Sequence, residues 1–160
     1  MTDAAKSRIY LATIAVLLLV IAAMAYKFIV AGSTQKGEDG RVAVILEPGE
    51  RALMLREMRE FVAGLQLVAD ALSRDDMPGV AKASRAMGTV RADDVPVAMM
   101  GKLPLEFKTL ALGTHREFDT IAADAEASGT PKQTLAQLAG VLQKCVACHA
   151  TYEVTLGSPR

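Results

Sequence analysis

The chain has no tryptophan, two cysteines and two histidines, and aromatic side chains make up only 4% of its 160 residues. Each scarcity excludes something. Two cysteines allow at most one internal disulfide, and Cys145 and Cys148 lie three apart in a helical pattern, a poor arrangement for a loop-closing staple. Basic and acidic residues balance at 18 each, so no basic patch marks a nucleic-acid partner. A glycine-rich phosphate loop, a catalytic triad and a paired-carboxylate site are all missing, and the expectation is a protein that is not a conventional enzyme. The apolar half of the composition is carried by Ala, Leu and Met, which favour helix over sheet.

Charge is also missing from one long stretch. Ile9 to Tyr26 reads IYLATIAVLLLVIAAMAY, followed by Lys27 and FIVAG. An apolar run of about 18 to 23 residues is long enough to cross a hydrocarbon core as a helix. Lys27 can snorkel to the headgroups, and Lys6 and Arg8 ahead of the run favour an N-inside orientation. Residues 1–31 are therefore expected to be an anchor, entering the membrane through residues 9–31. A cleaved signal peptide is the rival, since Ala23-Met24-Ala25 fits a small-residue cleavage site. Both readings export the rest of the chain.

Residues 32–47 read as a flexible linker, with GSTQKGEDG offering nothing to bury and RVAVIL a short extended lead-in. Residues 48–160 form the remaining domain. Four helical patterns are expected there. The first spans about 48–72, with Met54, Met58, Phe61, Leu65, Val68 and Leu72 on one face. The second spans about 77–90, presenting Met77, Val80, Ser84 and Met87. RADDVPVAMMGKLP then forms a connection with room for one helical turn. The third spans about 104–127, with Phe107, Leu110, Thr114, Phe118 and Ile121 inward. The fourth begins with Thr130 as N-cap, Pro131 at the first helical position and Gln133 completing a capping box. Its seam is expected at Leu135, Leu138, Leu142, Cys145, His149, Tyr152 and Leu156. The fold class is all-α: an antiparallel up-down-up-down four-helix bundle with an N-terminal transmembrane helix.

Both cysteines and one histidine fall within five residues, Cys145-Val146-Ala147-Cys148-His149. This is C-x-x-C-H, the attachment signature of c-type haem. Thiols at i and i+3 share a helical face and can form thioethers to the two vinyl groups of one porphyrin. The following histidine then supplies the proximal nitrogen ligand. A zinc site wants four ligands, for which only His115 is left over, and a thioredoxin-like pair wants a βαβ setting. Covalent haem attachment also takes place on the exported side of a bacterial membrane, which agrees with the export segment.

A C-terminal CxxCH on the last of four helices resembles the cytochrome c′ family and its Met-ligated, six-coordinate relatives. The resemblance covers about Glu47 to Tyr152. Tyr152 matches the family's CHxxY or CHxxF, and Phe118-Asp119 is similar to an F-D pair in some members. Two features depart from it. Glu153 stands where the family carries a base, and an anion beside the proximal histidine would favour oxidised iron. The membrane anchor is the second departure. In the family the residue facing the distal side of the haem comes from the first helix; Met there fills the sixth iron position, whereas Leu or Phe leaves it vacant. By the family's usual first-helix length that residue is Met58, with Met54 as competitor. The two lie four apart, about 40° around the helix and ~6 Å along it. His115 and an unfilled position are the remaining alternatives.

The resemblance therefore implies one covalent haem c, held by Cys145 and Cys148 and ligated by His149 and Met58. The expected protein is an electron carrier in the bacterial inner membrane, single-pass, with its haem domain in the periplasm. Its partners would be redox proteins at or near the membrane. The alternative is a five-coordinate haem protein that binds NO or CO in an apolar distal pocket around Phe61. Family members often pair through their helices, which leaves a homodimer open.

Overall fold

The computed structural model describes residues 3–90 and 95–157, with side chains from Lys6 onward. The first four residues of RADDVPVAMMGKLP, positions 91–94, and the last three of the chain lie outside the described residues. Among the described residues helix accounts for 75%, with six α-helices and a small three-stranded sheet.

Helix α1 covers Asp3–Ala25 and runs on as a π-helical turn, Tyr26–Ala31. Lys6–Ala31 is long and apolar enough to cross a membrane, and none of its most apolar window is buried against the rest of the protein. By length and composition, an anchor and a signal sequence both fit it.

The segment after it corrects the linker expectation. Thr34–Lys36 forms strand β1 and Val42–Leu46 forms β2. They pair antiparallel, with Thr34 opposite Val44 and Lys36 opposite Val42. The lead-in RVAVIL is thus extended, and Ala43, Val44 and Leu46 are buried.

Helix α2 spans Pro48–Ser73, with Glu50 accepting a hydrogen bond from the Glu47 N–H at 2.8 Å. Helix α3, Met77–Arg85, is shorter than expected; the Asp76 side chain caps it by accepting from Gly79 N–H at 2.9 Å. Val97–Met100 forms the single turn α4, and α5 spans Leu105–Ala127. Helix α6 spans Pro131–Thr151. Thr130 does cap it, accepting from the Gln133 N–H at 3.2 Å. The box is left open, because the Gln133 amide turns to Asp124 instead.

The all-α expectation fails at the C-terminus. Tyr152–Leu156 leaves the helix and becomes strand β3, parallel to β2 with Val42 opposite Tyr152 and Leu46 opposite Leu156. This pairing has a positional consequence. β2 leads into α2 and β3 leads out of α6, so the start of α2 and the end of α6 lie at one end of the molecule.

Among α2, α3, α5 and α6, α3 packs closely on α5, α2 on α3, and α5 on α6, whereas α2 and α6 are not among the close pairings. Two apolar clusters result. One lies in the body of the helices, around Val68, Leu72, Val80, Met87, Phe118, Ile121, Leu138 and Val141. The other lies under the sheet, around Val44, Leu46, Met99, Leu103 and Phe107.

Candidate functional site

The last turns of α6 carry Cys145, Cys148 and His149. The buried face of this helix is Thr134, Leu138 and Val141, continued by the half-buried Cys145 and Cys148. The expected seam is thus rotated: Leu135 and Leu142 are exposed, and His149 lies on the exposed side with them. At 100° per residue, His149 is about 40° to one side of Cys145 and Cys148 about 60° to the other. The thiols therefore face inward and the imidazole sits at the solvent edge.

Both thiols are free. Cys145 packs against the body cluster, with Phe61 and Leu65 of α2 as fellow members at its margin. Cys148 packs against the sheet cluster, as do Leu53 and Met54 of α2. The pair thus bridges the two cores. Burial pushes both thiols above their usual pKa, and for Cys148 the neighbouring Cys145 adds to it. Uncombined, they stay protonated and apolar at neutral pH. Among the described residues, no three His, Cys, Asp or Glu side chains converge as a chelating group.

The candidate ligands on α2 divide between these environments. Met54 packs against the sheet cluster and, with Leu53, Val95 and Met99, lines a cavity of about 140 Å³. Met58, one turn on, is half-buried and packs against neither cluster. Phe61 then joins the body cluster, its ring 5.7 Å from Phe118 and 5.1 Å from His115. His115 is a core residue, 7% exposed, with Nδ1 2.8 Å from the Met87 carbonyl oxygen. Since a carbonyl only accepts, Nδ1 carries the proton of this bond. The other half of the Phe118-Asp119 pair serves the fold: Asp119 accepts from both the backbone N–H of Thr89 at 3.0 Å and its hydroxyl at 2.7 Å.

Arg41, at the start of β2, was not singled out in the sequence. Its guanidinium donates to the backbone oxygens of His149 and Tyr152, each at 3.2 Å, and to Glu153 Oε2 at 3.1 Å. A second branch holds Asp39 at 2.7 Å. Arg41 thus closes the C-terminus of α6, where unpaired carbonyls gather the negative end of the helix dipole. It also neutralises Glu153. The hairpin thus delivers a base to the residue after Tyr152. Two apolar runs each opening on a charge of opposite sign, RVAVIL and EVTL, were the available signal. Tyr152 completes the end, its ring edge-on to Phe107 at 5.2 Å.

The donor set fits a covalently attached haem. Two free thiols share an inward face, an imidazole sits beside them, and a thioether side chain on α2 is unclaimed by core packing. No protein-family model, curated protein or solved structure matches the chain.

Proposed function

We propose that this protein is a membrane-tethered c-type cytochrome that carries electrons. In this reading α2, α3, α5 and α6 make an up-down-up-down bundle of the cytochrome c′ kind, oriented into the periplasm by α1. Cys145 and Cys148 would hold one haem through thioethers, and His149 and Met58 would supply the ligands to its iron. When bound, the haem supplies one-electron chemistry, and a His/Met ligand pair raises its potential.

The observation that carries the reading is the position of Cys145 and Cys148 at the join of two apolar clusters, both of which α2 also lines. The half-buried thiols hold the group at that join and keep water from one side of it. Met58 is favoured over Met54 because Met54 already fills the sheet cluster, where flexible methionine serves as core packing. His115 is committed to Met87 through Nδ1 and to Phe61 through its ring, which makes it a wall of the interior.

Optical spectra of the purified protein test this. The expected oxidised spectrum is low-spin with a sulfur-to-iron charge-transfer band, lost in Met58→Leu and kept in Met54→Leu. A high-spin ferric spectrum that responds to NO or CO would replace the carrier with the gas-binding alternative. A colourless protein from cells competent in haem attachment would remove the cofactor altogether.

A further inference from the structure

The geometry points to a second membrane contact beside the anchor: the α4 turn, Pro96-Val97-Ala98, is a foot that rests in the bilayer interface. It rests on the reading of α1 as a membrane anchor.

The end of the anchor does not dangle from a linker. Lys108 of α5 donates to the carbonyl oxygens of Phe28 and Ile29, at 2.9 and 3.2 Å. The Lys27 ammonium bonds the Gly32 carbonyl. Ser33 N–H donates to the Lys102 carbonyl at 2.7 Å, and Ser33 in turn accepts from Ile45 N–H in β2 at 2.8 Å. Gly32 has φ +64°, and a methyl group there would come within 2.7 Å of the Lys102–Pro104 backbone. Only glycine permits both that conformation and that approach. The last turn of the anchor is therefore fastened to the head of α5.

This fastening sets the level of α4. A methyl group on Gly101 would stand 3.1 Å from the Phe28 ring, so α4 ends against a residue inside the Lys6–Ala31 span. Met99 turns inward and is buried. The outer edge is Pro96, Val97 and Ala98, with Val97 88% exposed, and Leu105 beyond it is 41% exposed. From Val95 to Gly101 there is no charged residue, and Lys102, which follows, is paired with Glu50 at 2.7 Å. An exposed apolar edge continuous with a membrane span has the chemistry of an interfacial element. With the foot seated, the head is held at two points and cannot rotate about the anchor. The sheet end, which bears Cys148 in the same cluster as Leu103 and Phe107, is then fixed at the membrane-proximal side.

Because the chain has no tryptophan, single substitutions report their own surroundings. Full-length protein would be reconstituted in phosphatidylcholine–phosphatidylglycerol vesicles, with and without acyl chains brominated, in separate sets, near the headgroup and near the chain end. Leu19→Trp probes the span, Val97→Trp the foot, and Leu135→Trp the far end of α6, roughly 24 Å along that helix from its C-terminus. All three sites are more than half exposed, so the substitutions leave the packing untouched. Leu19→Trp and Val97→Trp are expected to lose most of their emission to the brominated lipid, and Leu135→Trp none. If Val97→Trp resembles Leu135→Trp while Leu19→Trp is quenched, the anchor stands and the foot is refuted. If Leu19→Trp also escapes quenching, the anchor reading fails and the foot with it. Equal quenching at Leu135 and Val97 would mean indiscriminate lipid contact and would overturn the proposal as well.

Discussion

Arg41 joins the hairpin to the end of α6 and to Glu153, both more than a hundred positions downstream. Its side chain is about one-third exposed, as is that of Glu153, so the ion pair itself is weak. The bonds to His149 and Tyr152 carbonyls matter more, because they satisfy acceptors at a helix end. Arg41→Gln is expected to lower stability by about 1 kcal/mol, the scale of a partly exposed hydrogen-bonded cap. Thermal unfolding of the protein measures this. With haem attached, the same variant leaves Glu153 unneutralised beside His149, which favours the oxidised iron. The reduction potential is therefore expected to fall, with Arg41→Lys restoring part of it. An unchanged potential together with a lowered melting temperature would reduce Arg41 to a helix cap. This contribution was illegible in the sequence because nothing local ties position 41 to position 153. The CxxCH motif was legible because its chemistry lies within five residues.

At the scale of elements, the exit of α3 is tied to α5 by Asp119. The carboxylate accepts from the Thr89 N–H and hydroxyl and sits against Gly88. The hydrogen bond from the Thr89 backbone, opposed by burial and helped by the Thr89 hydroxyl, holds its pKa below the usual carboxylate value. A depressed folded-state pKa means that the contribution is complete above the unfolded value, near 3.9, and is lost as pH falls through the folded one. Asp119→Ala is expected to cost about 1 kcal/mol at neutral pH, the bond being near the surface. Urea unfolding at neutral and strongly acidic pH checks the sign: the gap between variant and wild type should close in acid. A gap that persists there would mean that Asp119 acts through packing rather than charge. The long helices were legible from apolar spacing, prolines at their starts and capping side chains. The phase of α6 was not. Lys132 and Lys144 are its only formally charged residues, so apolar side chains ring most of its circumference and several stripes satisfy spacings of three and four. The strand after it was hidden for a related reason. Tyr152 and Leu156 fit a helical spacing of four, while Tyr152, Val154 and Leu156 fit a strand period of two. The partner strand that decides between them lies over a hundred residues upstream.

The whole molecule is organised around one end, where the anchor, the sheet, the start of α2 and the CxxCH turn converge. This bears on whether the first residues are kept. A 26-residue helix extends about 39 Å at 1.5 Å per residue, beyond the ~30 Å of a hydrocarbon core, so its last turn can leave the core and dock on α5. Cleavage after Ala25 would spare that docking but strand Tyr26, Phe28 and Ile29, all more than half exposed, on a water-facing surface. A soluble product would then expose these apolar side chains together at its anchor end, a feature of membrane or partner contact rather than of free carriers. On the proposed reading the chain is accordingly expected to retain its N-terminus, resist alkaline carbonate extraction and enter solution only with detergent. Intact mass spectrometry of the membrane fraction measures the first point directly. A mature chain beginning at Tyr26 in the soluble periplasmic fraction would make α1 a signal sequence. It would also detach the sheet end from the bilayer and return the CxxCH turn to a freely diffusing domain.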